Sequence, residues 1–262
     1  MKNQGFSLVE LSIVLVILGL LTGGILAGQS LIHAAQLRSA TVEFNRYYTA
    51  VRSFRDKYFA LPGDMNNATA FWGAADGAGG GNSAACVTTQ GTGTQTCNGN
   101  ADNIIATSTS SAEQARFWQH LANAGLIEGN FTGILDPTYT VVATQTSPGS
   151  KLDNNLWWVN NPGTQSGSAS LFDGVYNNQI FLIGPHSATA WTSSIAPADA
   201  WNIDTKMDDG KPGTGGVVGP WSNAYNPAGA NCTTAANSAA ITATYNLSVS
   251  DKSCAIFWRN LF

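Results

Sequence analysis

The side chains that could take part in catalysis are few in this chain of 262 residues. Its three histidines, His33, His120 and His186, show no recognisable spacing to a cysteine, a serine or an aspartate. An active site needs a nucleophile, a base or a metal ligand in a defined arrangement, and an enzyme assignment needs a positive signal of that kind. The sequence offers none, and we therefore predict that the protein is not an enzyme. We expect His120 and the neighbouring Trp118 to be packing or capping residues.

One group of candidate metal ligands is acidic. The segment NIDTKMDDGKPGTGGV, residues 202–217, places Asp204, Asp208 and Asp209 close together, beside glycines and a proline that allow a tight turn. Calcium binds six to eight oxygens, carboxylates and backbone carbonyls among them. The spacing is not that of an EF-hand, because Lys206 and Asp209 stand where a ligand and the sharp-turn glycine belong. We favour a solvated acidic turn that caps a helix end, with calcium as the alternative, and predict no other cofactor.

Four cysteines form two short-range pairs, Cys86 with Cys97 and Cys232 with Cys254. Neither pair has the C-x-x-C spacing of a zinc or redox site. Four cysteines allow three connectivities, and sequence does not choose among them. Local pairing is the favoured arrangement, in which each link would stabilise the fold by roughly 3 kcal/mol. Disulfides of this kind indicate an oxidising compartment, such as the periplasm or the cell exterior.

A single carboxylate, Glu10, interrupts an apolar run from Phe6 to Gly28. The run exceeds the roughly 20 residues that a helix needs to cross a bilayer, and Lys2 before it would stay on the cytoplasmic side. A charge inside the bilayer costs about 2.5–3.5 kcal/mol on insertion scales. A secretory signal cut near Ala27 would discard the run, and it would leave the carboxylate without a purpose.

The segment GFSLVELSIVLVILGLL resembles the N-terminus of type IV pilins and type II secretion pseudopilins. Gly5, Phe6 and Glu10 stand where that family has its glycine, its first mature residue and a glutamate at the fifth mature position. The resemblance implies cleavage between Gly5 and Phe6 by a prepilin peptidase, followed by methylation of the new amine of Phe6. It also implies that Glu10 is an assembly residue, paired with the N-terminal amine of a neighbouring copy. A buried charge needs such a partner to offset its desolvation.

The apolar run contains four glycines that form overlapping small-xxx-small pairs: Gly19, Gly23, Gly24 and Gly28. Such pairs allow helices to approach closely in a bilayer. Each glycine also weakens a helix by about 1 kcal/mol relative to alanine. We interpret the stretch as a soft spot, and we expect residues 19–28 to lose helical hydrogen bonds in a filament, as this region can do in the pilins that the sequence resembles.

The helical pattern continues beyond the apolar run to Tyr58, with one apolar face for a core. The expected organisation has four parts: a leader at 1–5, a transmembrane and assembly half at 6–28, an amphipathic half at 29–61 and a globular β-rich head at 62–262. The fold class is therefore α+β. The resemblance implies the pilin fold, in which a long helical spine packs against an antiparallel sheet with disulfide-bounded loops.

Within the head, AEQARFWQHLANAGLI at 112–127 has apolar residues at helical spacing and predicts a short helix. Residues 73–111, rich in small and polar types, are interpreted as a loop ordered by the first cysteine pair, with disorder as the alternative. Segments bounded by Asn, Gly or Pro predict strands: YTVVATQT (139–146), NNLWWVNN (154–161), NNQIFLIGP (177–185), ITATYNLSV (241–249) and the tail AIFWRNLF (255–262).

Several tryptophans could form a carbohydrate-binding platform, although core or interface packing is the favoured role for large aromatic residues. They are Trp157, Trp158, Trp191, Trp201 and Trp221.

The composition limits the function classes. Charged residues make up 11% of the chain, well below the roughly 25% of an ordinary soluble domain, and the net charge is −4. No basic run would follow a phosphate backbone, so no specific nucleic-acid partner is predicted.

We expect a pilin that starts in the inner membrane and polymerises into a cell-surface filament for attachment or motility. Its partners would be copies of itself, the prepilin peptidase and the assembly machinery. A minor pilin, a pseudopilin and a membrane-anchored binding protein that never polymerises are the alternatives.

Overall fold

The computed structural model describes residues 7–75, 88–106, 113–134, 144–153, 155–184, 192–222 and 231–262. Within these ranges the helices are α1 (Leu8–Tyr58), α2 (Ala68–Trp72), α3 (Glu113–Asn123) and α4 (Pro197–Met207). The strands are β1 (Leu156–Asn160), β2 (Gly163–Gln165), β3 (Gly174–Tyr176), β4 (Gln179–Ile183), β5 (Val217–Val218) and β6 (Ile256–Trp258). The predicted α+β architecture is confirmed: a long N-terminal helix packs against an antiparallel sheet.

Helix α1 is unbroken over 51 residues, a length of about 77 Å at 1.5 Å per residue. Its buried positions recur every three or four residues, as the amphipathic pattern predicts: Leu37, Ala40, Phe44, Tyr47, Ala50, Val51 and Phe54. The buried face begins at Leu37, whereas Leu31, which belongs to the same sequence pattern, is 71% exposed. The head therefore holds only the second half of the helix.

The helix ends at Phe59, which adopts a left-handed conformation with φ of 53°. Its N–H donates to the carbonyl oxygen of Arg55 and closes the last turn. A bulky side chain in this region of backbone space is unusual, because it costs roughly 1–2 kcal/mol that glycine would avoid. Nothing packs over the ring, since Phe59 is 92% exposed.

The main sheet has four antiparallel strands in the order β1-β4-β6-β5, and β2 pairs with β3 in a separate ribbon. Trp157 of β1 lies opposite Leu182 of β4, and Ile180 of β4 lies opposite Trp258 of β6. Every residue of β4 is buried, so both faces of the sheet are covered at this strand. The strands predicted at 154–161, 177–185 and 255–262 are confirmed, as is the helix predicted at 112–127.

The strand predicted at ITATYNLSV is wrong. Residues 241–249 form successive turns, and only Tyr245 pairs, through one isolated bridge to Thr233. The β-branched residues of this segment favour a strand. However, the segment lies inside the loop closed by the Cys232–Cys254 disulfide, where local turn hydrogen bonds such as Val249 N–H to the Asn246 carbonyl form instead. Of the strand predicted at 139–146, residues 144–146 form a turn and the others lie outside the described ranges.

An aromatic seam joins the spine to the sheet. Phe44 stacks on Trp258 with ring centroids 4.6 Å apart, and Tyr47 meets Trp118 and Trp157 edge-on. Offset and edge-on pairs of this kind add about 0.5–1.5 kcal/mol each beyond the burial of their area. The core role favoured for the tryptophans is thus confirmed at Trp157, which is fully buried.

The other tryptophans differ in their exposure. Trp158 is buried in the core, Trp221 donates its indole N–H to the carbonyl of Ser168, and Trp201 is 44% exposed. Trp191 lies outside the described residues. These indole rings therefore do not form a shared exposed platform among the described residues, and a carbohydrate site at Trp157 and Trp158 is excluded by their burial.

His120 is a buried structural residue, as the sequence indicates. Its Nδ1 accepts a hydrogen bond from the Gly63 N–H at 3.0 Å, and its Nε2 lies 2.9 Å from the Thr96 hydroxyl. Burial, with a smaller contribution from the charge of Arg116, lowers the pKa of His120 to about 3. The neutral ring therefore ties α3 to the chain that follows α1.

The structure contains the disulfide Cys232–Cys254, in agreement with the expected local pairing. Cys97 is also disulfide-bonded. Its predicted partner, Cys86, lies outside the described residues.

Candidate assembly helix and acidic loop

The first half of α1 projects from the head with its apolar side chains uncovered. Leu8 is 87% exposed, Leu20 is 73% exposed, and the most apolar stretch of the helix has no buried residue. By length and composition the helix is able to cross a membrane. Apolar area on this scale is costly in water, so the segment requires either a bilayer or another protein around it.

A capping box begins this helix. The Ser7 hydroxyl oxygen accepts hydrogen bonds from the N–H groups of Val9 and Glu10, and the Ser7 N–H donates to Glu10 Oε2 at 2.8 Å. Each bond satisfies a backbone donor that would otherwise have no helical partner. Glu10 thus has a hydrogen-bond partner within its own chain, which the sequence interpretation missed. The spacing of Ser7 and Glu10, S-x-x-E, was the available signal.

The capping box also orients the carboxylate. One oxygen, Oε2, is used by Ser7, while Oε1 accepts no hydrogen bond from the described residues. A negative side chain in the first turn is favoured by the helix dipole, so this position is a natural one for Glu10. Among the described residues, nothing donates to this second oxygen, which could therefore face a cation. Gly5 and Phe6, the predicted cleavage and methylation residues, lie outside the described ranges.

The four glycines of the predicted soft spot lie within continuous helix in this single chain. A Cβ added at Gly19, Gly23, Gly24 or Gly28 would meet no atom within 4 Å. Their small size is therefore not required by packing inside the chain. The loss of helical hydrogen bonds in a filament stays a prediction.

The acidic loop at 202–217 joins the end of α4 to β5. The side-chain oxygens of Asp204, Asp208 and Asp209 lie within 4.8 Å of one another. Asp204 is fully buried, contrary to the solvated turn that the sequence suggested. Its Oδ2 accepts from the Tyr245 hydroxyl at 2.9 Å, and its Oδ1 accepts from the Gly210 N–H at 3.1 Å.

The two exposed aspartates hold the loop itself. Asp208 Oδ2 accepts from the N–H groups of Gly216 and Val217, and Asp209 accepts from the Lys211 N–H. Carboxylate oxygens suit calcium, but three side chains supply fewer than the six to eight oxygens that it prefers. The observed hydrogen bonds are those of a tight acidic turn at the end of α4, and calcium binding stays the untested alternative.

Burial raises the pKa of Asp204 to about 7, against the lowering effect of its hydrogen bond from Tyr245. An acid with a raised pKa in the folded state binds its proton more tightly than the unfolded chain does. Its contribution to stability is complete below about pH 4 and is lost as the pH rises towards 7. Burial also raises the pKa of Glu113 to about 7, so this residue likewise lowers the stability of the fold as the pH rises. The lowered pKa of His120 has the opposite effect, because it reduces the stability as the pH falls below about 6.5.

The variant Asp204→Asn isolates this effect. An amide can accept from Gly210 and donate to the Tyr245 oxygen, so it copies the protonated acid. We expect D204N to match the wild type near pH 4 and to become more stable than it by roughly 1–3 kcal/mol at pH 8. Thermal unfolding in detergent at a series of pH values measures the difference. The surface control D251N should show no such trend, and a difference between D204N and the wild type that does not change with pH would contradict the prediction.

Comparison with known proteins identifies the N-terminal segment. Residues 1–26 match the family model described as the prokaryotic N-terminal methylation motif, which is the signature of type IV pilins and pseudopilins. No curated protein and no solved structure matches the chain. The N-terminal segment of the chain therefore carries a methylation motif of the kind found in type IV pilins and pseudopilins, and a helix able to cross a membrane follows it. Proteins of this class are usually structural and not enzymatic.

Proposed function

We propose that the mature protein begins at Phe6 and polymerises through α1 into a type IV filament on the cell surface, for attachment or motility. One observation carries this proposal. Within the methylation motif, Glu10 is held by Ser7 at the start of an uncovered apolar helix, and its second carboxylate oxygen accepts no hydrogen bond from the part of the chain that the structure describes. A monomeric membrane anchor needs no such charge, since it adds to the cost of insertion.

Cleavage before Phe6 would create a positive amine, and the Glu10 carboxylate of a neighbouring copy would pair with it. In a bundle of helices this pairing sets the register, because a helix docked one turn away leaves both charges buried and unpaired. The apolar side chains, lipid-facing in the precursor, would then be covered by the helices of other copies. The precursor would reside in the inner membrane, where the prepilin peptidase and the assembly machinery act on it.

A minor pilin or a pseudopilin shares these N-terminal features. The head predicted at 62–262 is large for a major subunit, which favours a minor role within the filament. A binding protein that is anchored by α1 and never polymerises is the alternative from another class.

Mass spectrometry of the native protein, combined with a filament preparation, tests the proposal. We expect a mature chain that starts at Phe6, with one added methyl group and with the four hydrogens of two disulfides missing. The protein should also be present in filaments sheared from cells, dominant if it is a major subunit and a trace component if it is a minor one. A chain that keeps Met1 to Gly5, or one trimmed near Ala27, would overturn the proposal. Correct processing without any protein in filaments would favour the anchored binding protein.

A further inference from the structure

A solvent-open cleft of about 680 Å³ lies at the end of α1 that is remote from the apolar segment. It is lined by residues of the last two turns of the helix, the chain that follows them and one head loop: Arg52, Arg55, Asp56, Phe59, Ala60 and Asn103. Neither the methylation motif nor the assembly helix accounts for this combination of two guanidinium groups, an exposed ring and two polar side chains.

The two arginines are available to a ligand. Neither Arg52 nor Arg55 forms an ion pair with a carboxylate of the described residues. Arg52 lies over the ring of Tyr48, with its guanidinium carbon 5.2 Å from the ring centroid, which restricts its position without neutralising it. A guanidinium presents its N–H groups in a planar fork that fits a carboxylate through two parallel hydrogen bonds. Two such groups in one cleft are suited to an anion with planar, two-oxygen geometry.

Phe59 supplies an apolar surface at the same cleft. Its ring is 92% exposed and its backbone is left-handed, a conformation that a bulky residue adopts at a cost. Packing within the chain does not explain that cost, because the ring has almost no cover. Residues held in such rare backbone conformations are concentrated at functional sites. The strained backbone of Phe59, together with its exposed ring, therefore points to a ligand that contacts the ring. The C–H face of a sugar ring is such a partner.

Asn103 and Asp56 provide the polar groups that hydroxyls require. The Asn103 backbone N–H donates to buried Asp64, which fixes the loop, while its side-chain amide makes no hydrogen bond with the described residues. Asp56 adds two acceptor oxygens. The Asp56 carboxylate can accept hydrogen bonds from sugar hydroxyls, but it repels a chain of phosphates. The net charge of −4 on the protein also repels phosphates. These groups favour a glycan over a single-stranded nucleic acid.

We propose that this cleft binds an acidic glycan. A uronate residue stacks on Phe59, its carboxylate pairs with Arg52 and Arg55, and its hydroxyls contact Asn103 and Asp56. The site lies where the end of α1 meets the head, and it does not depend on whether the chain polymerises. It gives the protein a specific ligand class at the end of the spine helix farthest from the bilayer.

The test uses the purified full chain in detergent and an oligogalacturonate, with binding followed by calorimetry. We expect the double variant R52Q/R55Q to weaken binding by about tenfold or more, because both charged hydrogen bonds are lost. Phe59→Gly should weaken it by about fivefold through the loss of stacking. Glycine suits the left-handed backbone, so the melting temperature of this variant should equal or exceed that of the wild type. The matched control K57Q, on the same turn of helix but outside the cleft lining, should bind normally.

Each opposite result overturns the proposal. A wild-type protein that does not bind oligogalacturonate lacks the site, and equal binding of a neutral gluco-oligosaccharide of the same length removes the role of the arginines. An equal loss of affinity in K57Q would indicate a diffuse charge effect. A single-stranded oligonucleotide that binds more tightly than the glycan, and depends on Arg52 and Arg55, would assign the cleft to nucleic acid instead.

Discussion

Replacing Glu10 with alanine should abolish surface filaments while the precursor still accumulates in the membrane. The substitution removes the charge that would pair with the amine of a neighbouring copy, and that amine would then be buried without a partner. Removing one member of a buried ion pair costs about 3–5 kcal/mol at each site, and a filament repeats that cost at every interface. Insertion into the bilayer should not suffer, because the variant lacks a charge that opposes insertion. The measurements are the yield of sheared filaments and the amount of membrane-bound protein.

The capping box makes a sharper comparison possible. Glu10→Gln keeps an oxygen that can accept from the Ser7 N–H, so the helix stays capped while the charge is lost. Ser7→Ala does the reverse, since it removes the cap, worth about 1 kcal/mol, and keeps the charge. We expect E10Q to fail to assemble and S7A to retain most of its filaments. Normal filaments from E10Q would show that Glu10 acts only as a helix cap, and charge pairing would then be wrong.

Replacing Glu43 with alanine should destabilise the protein far more than replacing an exposed carboxylate of α1. The Glu43 carboxylate joins the spine to the head: Oε2 accepts from the Trp157 indole N–H at 2.9 Å and from the Ser150 hydroxyl at 2.7 Å. Oε1 accepts from the Lys151 N–H and from the Ser39 hydroxyl. Alanine would leave the indole N–H of a fully buried tryptophan without a partner. We expect a loss of roughly 3 kcal/mol, which lowers the melting temperature by about 6–12 °C.

Thermal unfolding of the purified protein in detergent measures this effect. The matched control is Asp56→Ala, an exposed carboxylate on the same helix, which should change the melting temperature by about 2 °C or less. Glu43→Gln keeps one acceptor oxygen, and its melting temperature should lie between those of E43A and D56A. A melting temperature for E43A equal to that of D56A would mean that the Glu43 contacts contribute nothing to the attachment of the head.

Glu43 shows what the helical spacing of apolar residues can predict and what it cannot. The amphipathic pattern predicts α1 and most of its buried face, because local spacing determines both. The same pattern treats Glu43 as a surface residue, although it precedes Phe44 and lies one turn from Ala40 and Tyr47 on the buried side. That position was a usable signal. What the spacing could not supply was the set of partners, which come from a loop and a strand more than 100 residues away.

The head shows the same division between local and distant causes. Strands β1 and β4 are dense apolar runs and were predicted correctly, while β5, with two residues, has no pattern long enough to recognise. Helix α4 begins with Pro197, a residue that suits the first turn, yet its second half was assigned to the acidic loop. Buried Asp204 accepts a hydrogen bond from Tyr245, 41 positions along the chain. The sequence around Asp204 contains no pattern from which that contact could be predicted.

The unbroken spine has a geometric consequence for assembly. His33 Nε2 lies 2.9 Å from Asp199 Oδ1 of α4, and from this contact to Glu10 the helix extends about 35 Å without a buried residue, at 1.5 Å per residue. While this segment stays helical, a tilt of about 5° at the seam would displace the Glu10 carboxylate by about 3 Å, roughly a hydrogen-bond length. Substitutions around Phe44 and Trp258 would therefore alter how neighbouring copies align at the opposite end of the molecule.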